Sequence, residues 1–388
     1  MVKTLRLPND WSEAHWMLDY RFGFIKRGLG GEIFGWLFEK NEHTILILSA
    51  AILFLLYVFI FRIAVQETFK RQNNVPRILF FLIFFLSQYI VFSAHLIGYF
   101  DHIVFLLTIL IIYLIKRKKI FWASFMATIS IFIHEISFFL MLPISCFAVL
   151  VTVLQNERFS FRNVFSMQVL KKLAVFLLLP FIATISVAVY QEINNEDQLS
   201  QIYNYLTQIP FIAEKPADSV AAAYTKSFTY YFSEERSHFI QRLLVSTCTI
   251  FYGIPILFSL WMIFKEFKLK QNIRVFLLLA IVAFIPLLLH AIAYDTYRIW
   301  SFPFMILFLG FWILSSALNT DKENMGKPTT IEIILFLISL FMVSIIPNHL
   351  FDDETERISI VVRLIMVIPI LLILYVLKNS IFFVNKVK

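Results

Sequence analysis

Residues 44–65 read TILILSAAILFLLYVFIFRIAV, and the only charge among these twenty-two residues is Arg62. A surface helix of a soluble protein keeps a polar face, and this run has none. Its length meets the roughly 18 consecutive apolar residues that mark a membrane span. Similar segments recur at about 78–98, 102–115, 120–135, 136–154, 173–191, 240–264, 273–294, 298–318, 329–346 and 358–377. Membrane barrels need alternating polarity along each strand, whereas these runs are apolar on both faces. The expected fold is therefore all-α: a polytopic transmembrane helical bundle with about 11 spans and one larger extracytoplasmic loop.

The composition agrees. Of 388 residues, 60% are hydrophobic and 15% charged, with 45 Phe; soluble proteins carry about 25% charged residues. The net charge of +8 is spread through short clusters between apolar runs, so no nucleic-acid partner is expected. Those clusters fall in alternate loops: Arg62, Lys70, Arg71 and Arg77; Lys116–Lys119; Arg158, Arg162, Lys171 and Lys172; Lys265, Lys268, Lys270 and Arg274; Lys322 and Lys327; Lys378, Lys386 and Lys388. They hold most of the 34 Lys and Arg, and few acids, namely Glu67, Glu157, Glu266, Asp321, Glu323 and Glu332. The positive-inside rule places these loops in the cytoplasm. The expected location is the inner (plasma) membrane, multi-pass, with a cytoplasmic C-terminus.

Four regions follow. Residues 1–43 are read as an extracytoplasmic or interfacial basic-aromatic segment, with Trp11, Trp16, Phe22, Phe24 and Trp36. It either lies along the outer surface or follows a span encoded upstream. No cleavable signal peptide is visible, because these residues contain no apolar core. Residues 44–191 form a first helical membrane half and 240–388 a second. Residues 192–239 form the extracytoplasmic loop, in which Gln198–Leu206 has the apolar spacing of an amphipathic surface helix. Cys146 and Cys248 both fall in predicted spans, which argues against a disulfide framework or a zinc knuckle.

The chemically interesting residues gather on the outward side. In Asp19–Gly31, Arg21, Lys26 and Arg27 are interleaved with aromatic residues and four glycines. Glycine lets backbone approach a ligand, and Arg recognises phosphate with two parallel donors. Snorkelling of these cations beside the membrane is the competing reading. The spacing excludes a P-loop. Asp101 closes Gly98–Asp101; it caps the following helix, positions a sugar hydroxyl or acts as a base, and these roles stay open. His134 and Glu135 are ionisable groups in an apolar stretch, a candidate acid/base pair or a packed structural pair. As neighbours in a helix they would diverge by about 100°. A zinc protease would need a second His where Phe138 stands. Asp295 and Arg298, three apart, either pair with each other or serve a phosphate and its sugar; His290 lies nearby. Glu234, Glu235, Arg236 and His238 end the long loop. Asn348, His349 and the acidic run Asp352–Glu356 form another outward polar cluster, and Arg363 lies inside the last span.

The strings Asp19–Gly31, Gly98–Asp101 and His134–Pro143, with many spans and one larger external loop, resemble bacterial polysaccharide polymerases of the Wzy or EpsG type and the wider group of GT-C-like glycosyltransferases. That resemblance implies a repeat-unit polymerase of O-antigen, capsule or exopolysaccharide biosynthesis, joining undecaprenyl-pyrophosphate-linked oligosaccharides on the extracytoplasmic face. His134, Glu135 and Asp101 would be catalytic; Arg21, Lys26, Arg27, Asp295, Arg298 and Arg236 would bind substrate. No metal or cofactor is implied. Expected partners are the lipid-linked glycan, membrane lipid, and a chain-length regulator and flippase of the same pathway. The alternatives are a lipid-carrier or polysaccharide flippase and an extracytoplasmic sugar acyltransferase.

Overall fold

In a computed structural model, residues 6–70, 75–154, 161–193, 195–270, 272–318, 329–347, 350 and 359–384 are described. Asn348, His349 and Asp352–Glu356 lie outside them, as do the basic residues Arg71, Arg158, Lys322, Lys327, Lys386 and Lys388 and the acids Glu157, Asp321 and Glu323.

The described residues fold into helices with no strand among them. In chain order they are α1 (Asp10–Met17), α2 (Gly28–Leu37), α3 (Glu42–Phe69), α4 (Val75–Leu86), α5 (Gln88–His95), α6 (Asp101–Lys116), α7 (Ile120–Ile133), α8 (Ser137–Val153), α9 (Phe161–Val164) and α10 (Met167–Ile193). Then come α11 (Asn195–Leu206), α12 (Glu214–Thr225), α13 (Phe228–Glu235), α14 (Cys248–Phe251), α15 (Gly253–Glu266), α16 (Ile273–Phe284), α17 (Thr296–Ala317), α18 (Thr330–Ser344) and α19 (Ile360–Val384). Asn41 starts α3 by accepting from the Thr44 amide at 2.8 Å, and a Thr329–Glu332 capping box starts α18.

Six stretches are long and apolar enough to cross a membrane: Glu42–Phe69, Val75–His95, Met167–Ile193, Cys248–Glu266, Ile273–Ala291 and Thr296–Ala317. Of the other apolar segments expected as spans, α6, α7, α8 and α18 are helical but shorter. At 1.5 Å per residue the 14 residues of α7 reach about 21 Å, against a hydrocarbon core of about 30 Å. Burial separates the long helices. Of the apolar window in α17, 83% lies inside the protein, against 28% for α3 and 22% for α10. So α17 is the axis of the bundle, and α3 and α10 face outward. Around it, α6, α7, α8 and α10 pack together on one side, and α4, α15 and α18 on the other.

Residues 195–239, expected as most of an extracytoplasmic loop with one amphipathic surface helix, are folded into several helices. Ile202 and Leu206 of α11 and Ala217, Val220, Ala221 and Tyr224 of α12 are buried with Ala14, Trp16, Leu18, Ile25 and Phe34. The N-terminal segment, expected at the interface, supplies the other half of this second core. Two glycines allow the close contacts. Gly98 has φ +93°, and its carbonyl accepts from Trp16 Nε1 at 2.8 Å. Gly31 lies under α1, where an added Cβ would land on the Leu18 carbonyl oxygen and 3.0 Å from that of Trp16. Backbone cannot yield as a side-chain tip does. Gly31→Ala is therefore expected to cost about 1–3 kcal/mol, read as a lower midpoint in detergent thermal unfolding; an unchanged midpoint would contradict this packing.

The two ends of the bundle differ. At the end where α3, α15 and α17 finish and α4 begins, Arg77 donates to Glu266 at 2.5 Å and to the Glu67 carbonyl at 2.6 Å. Ser315 of α17 and Lys70 close on the Glu67 carboxylate. Lys116 sits 3.5 Å from the centre of the Trp312 ring. Arg77, Glu67 and Glu266 are all buried.

Candidate functional site

The opposite end gathers the starts of α6, α8 and α17 and the finish of α7. The α7–α8 turn is tied by two serines, with Ser137 Oγ donating to the Ser130 carbonyl at 2.9 Å. His134 has φ −159° and ψ 121°, so it has already left helical geometry. The expected divergence of His134 and Glu135 therefore does not apply. The imidazole Nδ1 lies 3.3 Å from Glu135 Oε2, and Nε2 lies 3.8 Å from Asp101 Oδ1.

From this histidine a line of alternating charge runs both ways. Arg27, held at φ 62° just before α2, donates through Nε to Glu135 Oε2 at 2.8 Å and closes on Oε1 through Nη2. On the other side Arg298, in the first turn of α17, grips both oxygens of Asp101 at 2.8 and 2.7 Å. Its third nitrogen reaches Asp295 Oδ2 at 2.9 Å. Of the competing readings of Asp295 and Arg298, the pairing with each other is present, and Arg298 also pairs with Asp101. The line Arg27–Glu135–His134–Asp101–Arg298–Asp295 is continuous, although its members come from four separate stretches of chain. His134 is 4% exposed, and the Glu135 side chain, at 31%, is the opening to solvent.

Burial first, and the Arg27 cation second, push His134 below its ordinary 6.5 despite the two carboxylates. The imidazole is therefore neutral at pH 7. Burial alone would raise the Glu135 carboxyl, but Arg27 and His134 outweigh it and hold it well below the usual range. A neutral imidazole between two ionised carboxylates can accept a proton and keep the resulting cation paired.

The remaining expected residues sit elsewhere. Lys26 donates to the Lys226 carbonyl at 2.6 Å and lies 5.2 Å from the Tyr231 ring; burial lowers it to about 8. Arg21, 51% exposed, is bound to Asp19 and lines a different cleft. Arg236 is exposed against the Phe232 ring. His290 is fully buried, and neither ring nitrogen is hydrogen-bonded among the described residues. Arg363 is buried, with Nη1 3.4 Å from the Ile346 carbonyl.

Three residues join the site unforeseen. Tyr224 places its hydroxyl 3.2 Å from His15 Nδ1, and its ring lies 5.8 Å from the Arg27 guanidinium. Arg242 projects from a π-helical turn, Gln241–Val245, onto Glu235 at 2.6 Å and the Ala293 carbonyl at 3.1 Å. Such turns are rare and occur often at functional sites. Arg242 lines a cavity of about 950 Å³ with Trp11, Lys215, His238, Asp295 and Arg298, so the charged line opens into it. The size suits a bound small molecule or headgroup. Among the described residues no three His, Cys, Asp or Glu side chains are grouped as metal ligands.

The apolar helices and their lengths define a helical membrane protein with a buried charged site at one end of its bundle. Comparison with known protein families, curated proteins and solved structures finds no match to this chain.

Proposed function

We propose that the chain is a membrane glycosyltransferase that joins glycans carried on undecaprenyl pyrophosphate, a repeat-unit polymerase of surface polysaccharide acting on the extracytoplasmic face of the plasma membrane. The observation that carries this reading is the buried line from Arg27 to Asp295, with a neutral histidine at its middle and a polar cavity at its end. In the proposed reaction an acceptor hydroxyl gives its proton to His134, and its oxygen bonds to the anomeric carbon of the donor. The bond from that carbon to the carrier pyrophosphate breaks, and the electron pair leaves with the phosphate. Glu135 and Asp101 hold the imidazolium. Arg298, Arg242 and Lys215 line the cavity where leaving-group charge develops.

A deletion strain tests the reading. It should accumulate single lipid-linked repeat units at the outer face, and the intact gene should restore polymer. Normal polymer in the deletion strain would remove the proposal. The pH profile gives a second test. Only neutral His134 accepts a proton, so activity falls as pH drops through its folded pKa. Arg27→Gln removes the cation that disfavours imidazolium and leaves Glu135 to favour it, so the acid limb should move to higher pH. An acid limb that stays in place or moves down would take His134 out of the base role.

One feature favours a carrier flippase instead. The span Val75–His95 breaks at Ser87, and both amide atoms of the buried Gln88 lack partners among the described residues; interrupted spans with polar groups mark many transport paths. In that case the deletion strain would trap lipid-linked units on the cytoplasmic face.

A further inference from the structure

A second cleft, of about 780 Å³, lies at the other end of α1 from the cavity just described. Trp11 lines the cavity and Met17 the cleft, about 9 Å apart along the helix. Its charged residues are Asp19, Glu32, Glu39, Arg21 and Lys40, three carboxylates against two cations, a net −1. Asp19 is committed, with Arg21 on both oxygens at 2.7 Å and Lys40 closing on Oδ2. Glu32 accepts from the Tyr20 amide at 3.1 Å, and among the described residues neither Glu32 nor Glu39 is ion-paired. The cleft thus offers two carboxylates without an ion pair among the described residues, beside a half-exposed guanidinium and a lysine that share Asp19.

Trp36 and Phe38 line the cleft and are 78% and 45% exposed, and Ile33 and Leu37 of the same helical stretch, outside the lining, are 37% and 67% exposed. They close the last turn of α2 just ahead of Glu42, where the span of α3 begins. Trp at the end of a span marks headgroup depth. A charged cleft bordered by exposed apolar side chains at that depth matches a phospholipid in both its parts.

We infer that this cleft seats the headgroup of phosphatidylethanolamine. Its primary ammonium meets Glu32 and Glu39, its phosphate meets Arg21 and Lys40, and its acyl chains run along Ile33, Trp36 and Leu37. The charge pattern selects the lipid. Phosphatidylglycerol brings a net anion to a cleft that is already negative, and choline has no N–H to donate to the carboxylates. The inference does not rest on the glycosyltransferase reading, because none of these residues belongs to the line from Arg27 to Asp295.

Native mass spectrometry of the detergent-solubilised full chain tests it, titrating phosphatidylethanolamine, phosphatidylglycerol and phosphatidylcholine of matched acyl chains. Ethanolamine-lipid adducts should form at a concentration at least about tenfold lower than the others. The double variant Glu32→Gln, Glu39→Gln should erase that preference. It breaks no ion pair among the described residues, and the new side-chain amide keeps an acceptor oxygen for the Tyr20 N–H, so folding is preserved. Equal retention of the three lipids, a preference for phosphatidylglycerol, or a preference unchanged in the double variant would overturn the inference. A saccharide seat is the other occupant of such chemistry: adducts of maltoheptaose lost in the same double variant, with no lipid preference, would also overturn it.

Discussion

On the proposed polymerase reading, the His134→Gln protein is expected to insert and accumulate like the wild type while joining lipid-linked repeat units at least about a hundredfold more slowly, the range typical for loss of a general base. Glutamine keeps a polar side chain of similar reach between Glu135 and Asp101, but it accepts no proton at neutral pH. The measurement is the rate of polymer-ladder formation by purified protein in detergent with extracted lipid-linked units. A rate within about threefold of wild type would remove His134 from the chemistry. Glu135→Gln is informative beside it, because Glu135 lies 3.3 Å from the imidazole and also anchors Arg27.

Arg298→Ala should act on the fold itself. Arg298 is the bidentate partner of Asp101 and also the partner of Asp295. Removing it leaves the buried Asp101 and the partly exposed Asp295 facing each other without a cation. Breaking a buried pair by deleting one side costs about 3–5 kcal/mol, and the like-charge contact adds to it. Loss of monodisperse protein in size-exclusion chromatography after mild heating is the expected sign. Asp101→Asn in the same chain should recover part of the loss, since it removes the stranded charge. If Arg298→Ala alone is as heat-resistant as wild type, Arg298 is not the electrostatic centre of this end of the bundle.

The sequence was informative where the physics is local. Residues 44–65 and 173–191 read as spans because their apolar character needs no partner, and α3 and α10 cover them. The amphipathic spacing of Gln198–Leu206 was equally readable, and Ile202 and Leu206 are its buried positions. What that face packs against was not readable, because α11 and α12 find their partners nearly 200 residues earlier, in the N-terminal segment. The site divides in the same way. Asp101, His134 and Glu135 stood out as costly polar groups in apolar surroundings, Arg27 as a cation suited to phosphate among glycines and aromatic residues, and Asp295 and Arg298 as opposite charges three residues apart. Their union is tertiary: Arg27 meets Glu135 across 108 residues and Arg298 meets Asp101 across 197. Arg242 escaped notice because it falls at the start of an apolar run, and nothing in its neighbours announces a π-helical turn.

The buried network around Glu67, Arg77 and Glu266 gives α17 one fixed end. Ser315 is fastened there, while Arg298 stands 17 residues away, or about 25 Å along the axis. The helix is thus a lever with its fulcrum in the ionic knot and its other end tied through Arg298 at the cavity wall. A tilt of about 5° about that fulcrum would swing Arg298 by about 2 Å over a 25 Å arm, enough to part a guanidinium from a carboxylate while leaving the far end undisturbed.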